Sequence, residues 1–298
     1  MAIRSNFSDQ FLTDALPVLE ALPWKAIEQY KDFIPLVYSK YAGTGWGAQT
    51  SSVAGVGAAV AKSEGAGTYT DSPIQGYDKT YTFTTYSIKT QFSEELIEDD
   101  RLDTVGKVMH TLGMGYFQTT QIVAANVFNN GFSDTGPDGL SLFNTAHTLL
   151  GGGTYSNRSS TSVALGVAGL RAMNTSMYRM VNDRSINLMV IPDIILVPPE
   201  LEYTASELIN SAYKPGSADN DINTFNGKLN VVCTPFLTST TAWFGLAKAS
   251  HELRYYERIA PSVKTWIDDD TGDMYAKIRG RFDVGYSDWR GAWGSQGA

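Results

Sequence analysis

Residues 43–67 read GTGWGAQTSSVAGVGAAVAKSEGAG, and residues 79–92, shortly after them, read KTYTFTTYSIKTQF. The first stretch holds seven glycines and only two charged residues, Lys62 and Glu64. It cannot nucleate a core, and ordering so many glycines is costly in backbone entropy. It is also too long for an ordinary connection, which leaves a functional or a disordered segment. The second stretch is β-like. Tyr81 and Phe83 share one parity, whereas Tyr86, Ile88 and Phe92 share the other. That phase change predicts a β-bulge at Thr84–Thr85 within one strand of about 45 Å, at ~3.3 Å per residue. Taken together, the two stretches read as a projecting two-stranded loop.

Within the tract, GVGAAVAKS (55–63) imitates a phosphate-binding loop. The template requires glycine directly before the lysine and another five residues earlier. Ala61 and Val56 hold those places. Without the glycines the backbone amides cannot curl around phosphate oxygens, so no nucleotide site is expected.

Before the loop, residues 1–40 mix polar positions with Phe7, Phe11, Leu12, Leu16, Leu19 and Leu22, and Pro23 and Pro35 are expected to break any long element. This reads as an extended arm with short helical pieces. After the loop, Ser93 opens an acidic helix start. Leu102, Val105, Met109, Leu112, Tyr116, Val123 and Val127 then recur mostly three or four apart, predicting one long helix over 102–130. Gly106, Gly113 and Gly115 weaken it and permit close approach of another backbone. NNGF (129–132) supplies a stop.

The second half alternates strand and helix. Residues 160–183 predict an N-capped helix, 186–199 a buried strand, and 199–212 a helix with proline first. KLNVVCTPFL and TAWFGLA follow as strands, and residues 251–294 as two or three more, joined at DDDTGD.

At 298 residues, with 43% hydrophobic and 18% charged residues, the chain is a folded protein of one or two domains. A net charge of -8 argues against nucleic acid as an affinity-determining partner, although not against a chain that merely surrounds it. The start has no apolar signal region, and the longest apolar run (188–199) is interrupted by Pro192 and Asp193, so no membrane segment is expected. Cys233 is the only cysteine, in an apolar run, and reads as a structural thiol.

Chemistry-bearing candidates fail one by one. His110, His147 and His251 lie outside any zinc spacing. GLSLF (139–143) lacks the final glycine of a nucleophile elbow, Phe143 standing there. Asp138 with His147 could be imagined as a hydrolytic pair, but the bland reading is a turn with a hydrogen-bonded imidazole worth ~1 kcal/mol. IDDDTGDMY (267–275) misses the calcium-loop pattern because Gly272 occupies a ligand position, so a solvated hairpin turn is expected. Aromatics crowd the C-terminus in RYY and YSDWRGAW and read as core and interface anchors. No catalytic, cofactor-binding or metal site is assigned, and no enzyme is expected.

PDGLSLFNTAHTL (137–149) resembles the D-G-x-x-L-F-x-T-A-H segment of the Mu-like major head subunit family of tailed bacteriophages. IPDIILVPPELEYTASELINS (191–211) resembles that family's strand-to-helix signature, and AWFGLA (242–247) and YYERIAPSVKTWID (255–268) follow in order. The resemblance spans roughly residues 80–290. It implies an α+β chain with the Johnson fold of tailed-phage capsid proteins. The parts would be an N-terminal arm (1–40), an extended loop (41–92), a spine helix of the peripheral domain (93–131), an axial domain (132–254), and C-terminal strands returning to the peripheral domain (255–298). The implied function is a major capsid protein, made in the host cytoplasm and built into the virion. It would assemble with itself into hexameric and pentameric capsomers that enclose double-stranded DNA without reading its sequence. Portal, scaffolding or decoration proteins are possible further partners; no cofactor and no membrane are implied. Trp46, Val53, Val56, Val60, Lys62 and Tyr69 in the loop are then the candidate inter-subunit contacts. Some members of this fold class fuse a scaffolding segment or cross-link through lysine. A fused scaffold is not expected here, and nothing marks Lys62 or Lys79 as reactive. The alternatives are an encapsulin-like compartment shell and, from another class, a soluble hydrolase using Asp138 and His147.

Overall fold

A computed structural model describes residues 16–98, 102–159, 161–213 and 221–298. Phe7, Phe11 and Leu12 of the expected arm lie outside the described residues. The chain runs through α1 (Leu16–Glu28), α2 (Ile34–Val37), β1 (Ser39–Ala42), β2 (Gly47–Ala54), β3 (Ile74–Thr82), β4 (Thr84–Phe92), α3 (Glu94–Glu98) and α4 (Leu102–Asn129). It continues with β5 (His147–Thr148), β6 (Thr154–Tyr155), α5 (Val167–Tyr178), β7 (Ile194–Val197), α6 (Pro199–Asn210), β8 (Asn230–Cys233), β9 (Trp243–Leu246), β10 (Leu253–Ile267), β11 (Met274–Tyr286) and β12 (Ala292–Ser295).

Two four-stranded sheets organise these elements. The first has the order β1-β10-β11-β4, with β1 parallel to β10 and the other pairs antiparallel. The periodic stripe of α4 (Val105, Met109, Leu112, Tyr116) is buried, and the helix packs on β11 and β4. The second sheet has the order β12-β9-β7-β8. Here α6 packs on β7 and β8, and α5 on β12. All four residues of β7, β9 and β12 are buried, which explains the uninterrupted apolar character of β7 and β9.

The structure corrects several expectations. KTYTFTTYSIKTQF is not one bulged strand. It breaks at buried Phe83: β3 pairs with β2 in a separate hairpin, whereas β4 pairs with β11. Pro23 does not end the first helix but sits inside α1. That helix, with α2, contributes buried Leu19, Ile34 and Val37 to the main core, so the described part of residues 1–40 is packed rather than extended. The helix expected over 160–183 begins only at Val167. Ser295 and Trp243 hold the backbone of Val163: its N–H donates to Ser295 Oγ, and its carbonyl accepts from Trp243 Nε1. The strand expected over 186–199 is confined to Ile194–Val197. Finally, β12 joins β9 in the second sheet, so the C-terminal strands do not all return to the sheet beneath α4.

The expected close approach at the α4 glycines is present at Gly113. A Cβ there would lie 2.3 Å from the Pro23 carbonyl oxygen, whereas at Gly106 the nearest foreign atom, Leu22 Cδ1, would lie 3.4 Å away. The two sites should respond oppositely to alanine. Gly106→Ala should be neutral or stabilising by up to ~1 kcal/mol, through helix propensity. Gly113→Ala should cost about 1–3 kcal/mol by pushing α1 off α4. Denaturant melts of both variants would check this, and equal responses would refute it.

Candidate assembly interface

The hairpin β2–β3 pairs from Gly47↔Thr82 to Ala54↔Ile74, with a register shift between Ser51 and Val53. Its base is anchored. Tyr81, Phe83 and Tyr256 form a small buried cluster with Ala48 against it. Ser287 Oγ lies 2.8 Å from both Thr50 Oγ1 and the Tyr81 hydroxyl. Burial pushes the Tyr81 phenol well up, so it is a neutral hydrogen-bonding group.

Beyond the hairpin, residues 55–73 carry no helix or strand. One side of the tract is clasped to its own subunit. Asp71 accepts the Gly57 N–H at 2.6 Å and pairs with Arg184 at 3.1 Å. Arg184 also donates to the Ser72 carbonyl at 2.7 Å. The Gly57 amide, then the Arg184 charge, hold the Asp71 carboxyl below its ordinary value, against a partial desolvation that raises it. A carboxylate thus occupies an amide that a phosphate would need. The rest of the tract curls around a concavity of about 620 Å³ lined by its own residues, among them Val56, Val60, Lys62 and Tyr69.

Trp46 is 75% exposed, and Val53, Val56, Val60 and Tyr69 are also exposed, as is Lys62. The structure gathers the last three of these apolar residues and Lys62 around the concavity, with Trp46 and Val53 along the hairpin stem. Sequence reasoning missed the anchors, Ser287, Asp71 and Arg184. Each is remote in sequence from what it holds, and only the aromatic run around Ser287 drew notice.

Asp138 and His147 do meet. His147 Nδ1 lies 2.6 Å from Asp138 Oδ2, with both side chains buried. The other ring nitrogen faces Asn157 Oδ1 at 3.1 Å. That amide is oriented by its Nδ2, which donates to the Leu142 and Ala292 carbonyls, and its Oδ1 also accepts the Asn144 N–H. Both ring nitrogens are therefore engaged within the subunit. Trp289 covers the imidazole, centroids 4.3 Å apart and nearly parallel. The only hydroxyl of the elbow-like GLSLF, Ser141, bonds to the Phe143 carbonyl instead. A base with both nitrogens engaged and no access to solvent cannot take a proton from a nucleophile, so the pair is structural.

Burial also pushes the Cys233 thiol up, to about 11, with Glu202 adding to the shift. The thiol is half-buried and packs at the edge of the main core. Asp268–Asp273 closes β10 onto β11 as a turn, with Gly272 at φ +71°. No group of acidic, histidine or cysteine side chains among the described residues could hold a metal ion.

The model of a family described as phage capsid protein matches residues 76–294. No curated protein matches the chain. Among solved structures, a virus-like particle from Pyrococcus furiosus is 5% identical with a TM-score of 0.60, covering 95% of this chain and 99% of that one. Microbacterium phage Oxtober96 gives 11% identity and a TM-score of 0.55, covering 87% and 86%. The bacteriophage JBD30 capsid decorated with minor capsid protein trimers gives 11% and 0.56, covering 70% and 92%.

The expectation of ~1 kcal/mol for His147 is too small for this burial. His147→Ala would leave Asp138 and Asn157 without their ring partner in the interior and open a cavity under Trp289, which should cost about 2–4 kcal/mol in denaturant unfolding. A loss below about 1 kcal/mol would refute the structural role of the pair. Cys233 should react slowly with thiol reagents at pH 8 in the folded chain and quickly once unfolded, since the thiolate is scarce well below a raised pKa.

Proposed function

Because the chain belongs to the phage capsid protein family, we propose that it is the major subunit of a head shell, assembled from hexameric and pentameric capsomers around packaged double-stranded DNA. The fold is that of tailed-phage capsid proteins, and the chain is a virion component built by association with its own copies. The observation that carries the finer reading is the hairpin with its tract. It exposes Trp46, Val53, Val56, Val60 and Tyr69 among the described residues, while its base is fixed by Ser287. Apolar side chains held out on a rigid stem favour burial against a neighbour. Assembly then stabilises the subunit by mass action.

In this reading the β2–β3 hairpin with its tract serves as the extended loop, α4 as the spine of a peripheral domain, and the β12-β9-β7-β8 sheet as the axial domain. The subunit is made in the host cytoplasm. Portal and scaffolding proteins would complete the head, and the decorated JBD30 capsid supports a place for a decoration protein. A second reading, a compartment shell enclosing protein cargo, is supported by the likeness to the Pyrococcus furiosus virus-like particle. Electron microscopy of shells, with their contents identified as DNA or protein, separates the two.

The hairpin makes one deletion decisive. Removing 48–66 would also take away most of β2 and its Ser287 anchor, so the informative deletion is 56–70, closed by a short turn. That variant should fold with nearly the parent's thermal midpoint and yet form no closed shells in electron micrographs. Shells like the parent's would remove the tract from the assembly mechanism.

A further inference from the structure

The face of the first sheet turned away from α4 carries a cluster of cations. Register places Lys264, Lys277 and Lys89 directly opposite one another across β10, β11 and β4. Alternation along β11 adds Arg279, between Ser262 and Ser87, and Arg281, between Ile259 and Thr85. Neighbouring strands are ~4.8 Å apart, so the five charges share one small patch. Lys89, Lys264 and Arg279 are exposed; Lys277 and Arg281 are half-buried.

Like charges directly opposite on a sheet are destabilising. Part of the repulsion is relieved by aromatic faces, with Lys89 Nζ 4.5 Å from the Tyr275 ring and Lys277 Nζ 5.8 Å from the Trp266 ring. Arg281 donates to the Phe83 carbonyl. Among the described residues, none of the five forms an ion pair with a carboxylate. A chain of net charge -8 therefore keeps five cations together at a cost in its own stability.

The matching anion lies on the same hairpin. The turn after β10 carries Asp268, Asp269, Asp270 and Asp273, of which Asp269 and Asp270 are exposed and none forms an ion pair among the described residues. The turn sits at the end of the strands, so a subunit does not pair it with its own basic face. Another copy can. Duplex nucleic acid would satisfy the basic face alone, whereas a second copy satisfies the basic face and the acidic turn together.

We propose that the basic face formed by Lys89, Lys264, Lys277, Arg279 and Arg281 receives the acidic 268–273 turn of a neighbouring copy. This rests on the shell reading above. The contact joins two different patches, so it is heterologous, and its repetition gives a ring where the rotation closes.

Charge reversal tests it. Lys277→Glu with Arg279→Glu, and separately Asp269→Lys with Asp270→Lys, should each raise the protein concentration needed for assembly at least about tenfold at low salt. All four substitutions in one chain should restore assembly, because the contact re-forms with its polarity reversed. Lys277→Gln with Arg279→Gln repeats the test without introduced acids, and circular dichroism verifies folding. Parent-like assembly of the reversed variants would overturn the proposal, as would no recovery in the fourfold variant. Normal shells with reduced DNA content in the basic-face variant would overturn it in favour of a nucleic-acid surface. A parent chain that never associates would instead bring down the shell reading, and this contact with it.

Discussion

Trp289 lies flat on the buried His147 ring, and the residues on either side of it bind three other parts of the subunit. Two positions earlier, Ser287 holds the hairpin through Thr50 and Tyr81. One position later, Arg290 pairs with Asp288 and with Asp183, donates to the Val181 carbonyl, and lies 4.6 Å from the Trp289 ring. Trp293 then packs on Trp243, 5.0 Å between centroids, as β12 closes the second sheet. The run is the continuation of β11, so the first sheet, the hairpin and the second sheet are fixed by one short segment. Ser287, Asp288 and Arg290 are buried or half-buried and paired, and removing one partner leaves another unsatisfied.

This arrangement grades stability along the hairpin. The base shares the buried Tyr81–Phe83–Tyr256 cluster and opens only with the core. The tract beyond Ala54 has no ladder of its own and opens at small cost. A firmly aimed stem with an adaptable end suits a contact made to another copy, because the stem sets direction while the end fits the surface it meets.

The parts legible in sequence were those whose signals are local. The α4 stripe, the proline-first helix α6 and the turn at Asp268–Asp273 each follow from a few neighbouring residues. Asp138 and His147, nine positions apart, could be paired by eye, but their burial beneath Trp289 could not be seen. The break at Phe83 was illegible for a different reason. A bulge and a switch between two sheets both shift the alternation by one residue, and only the partners, β2 on one side and β11 on the other, distinguish them. The lost first turns of the 160–183 helix depend on Ser295 and Trp243, 132 and 80 positions from Val163. The row Lys89–Lys277–Lys264 exists only once register is known.

The Asp71–Arg184 pair shows how little holds the tract in place within one subunit. Its side chains retain 16% and 25% of their exposure, so water still screens them, and the pair contributes little. The Gly57 amide and the Ser72 carbonyl add single hydrogen bonds at the same spot. Against this stands the ordering cost of a glycine-rich segment, ~1–2 kcal/mol for each residue fixed. The clasp therefore secures the point where the tract rejoins β3 and leaves the Val56–Tyr69 arc unsupported. Among the described residues little else fixes that arc, and the exposed valines and tyrosine on it are the groups a neighbouring copy would cover in the proposed shell.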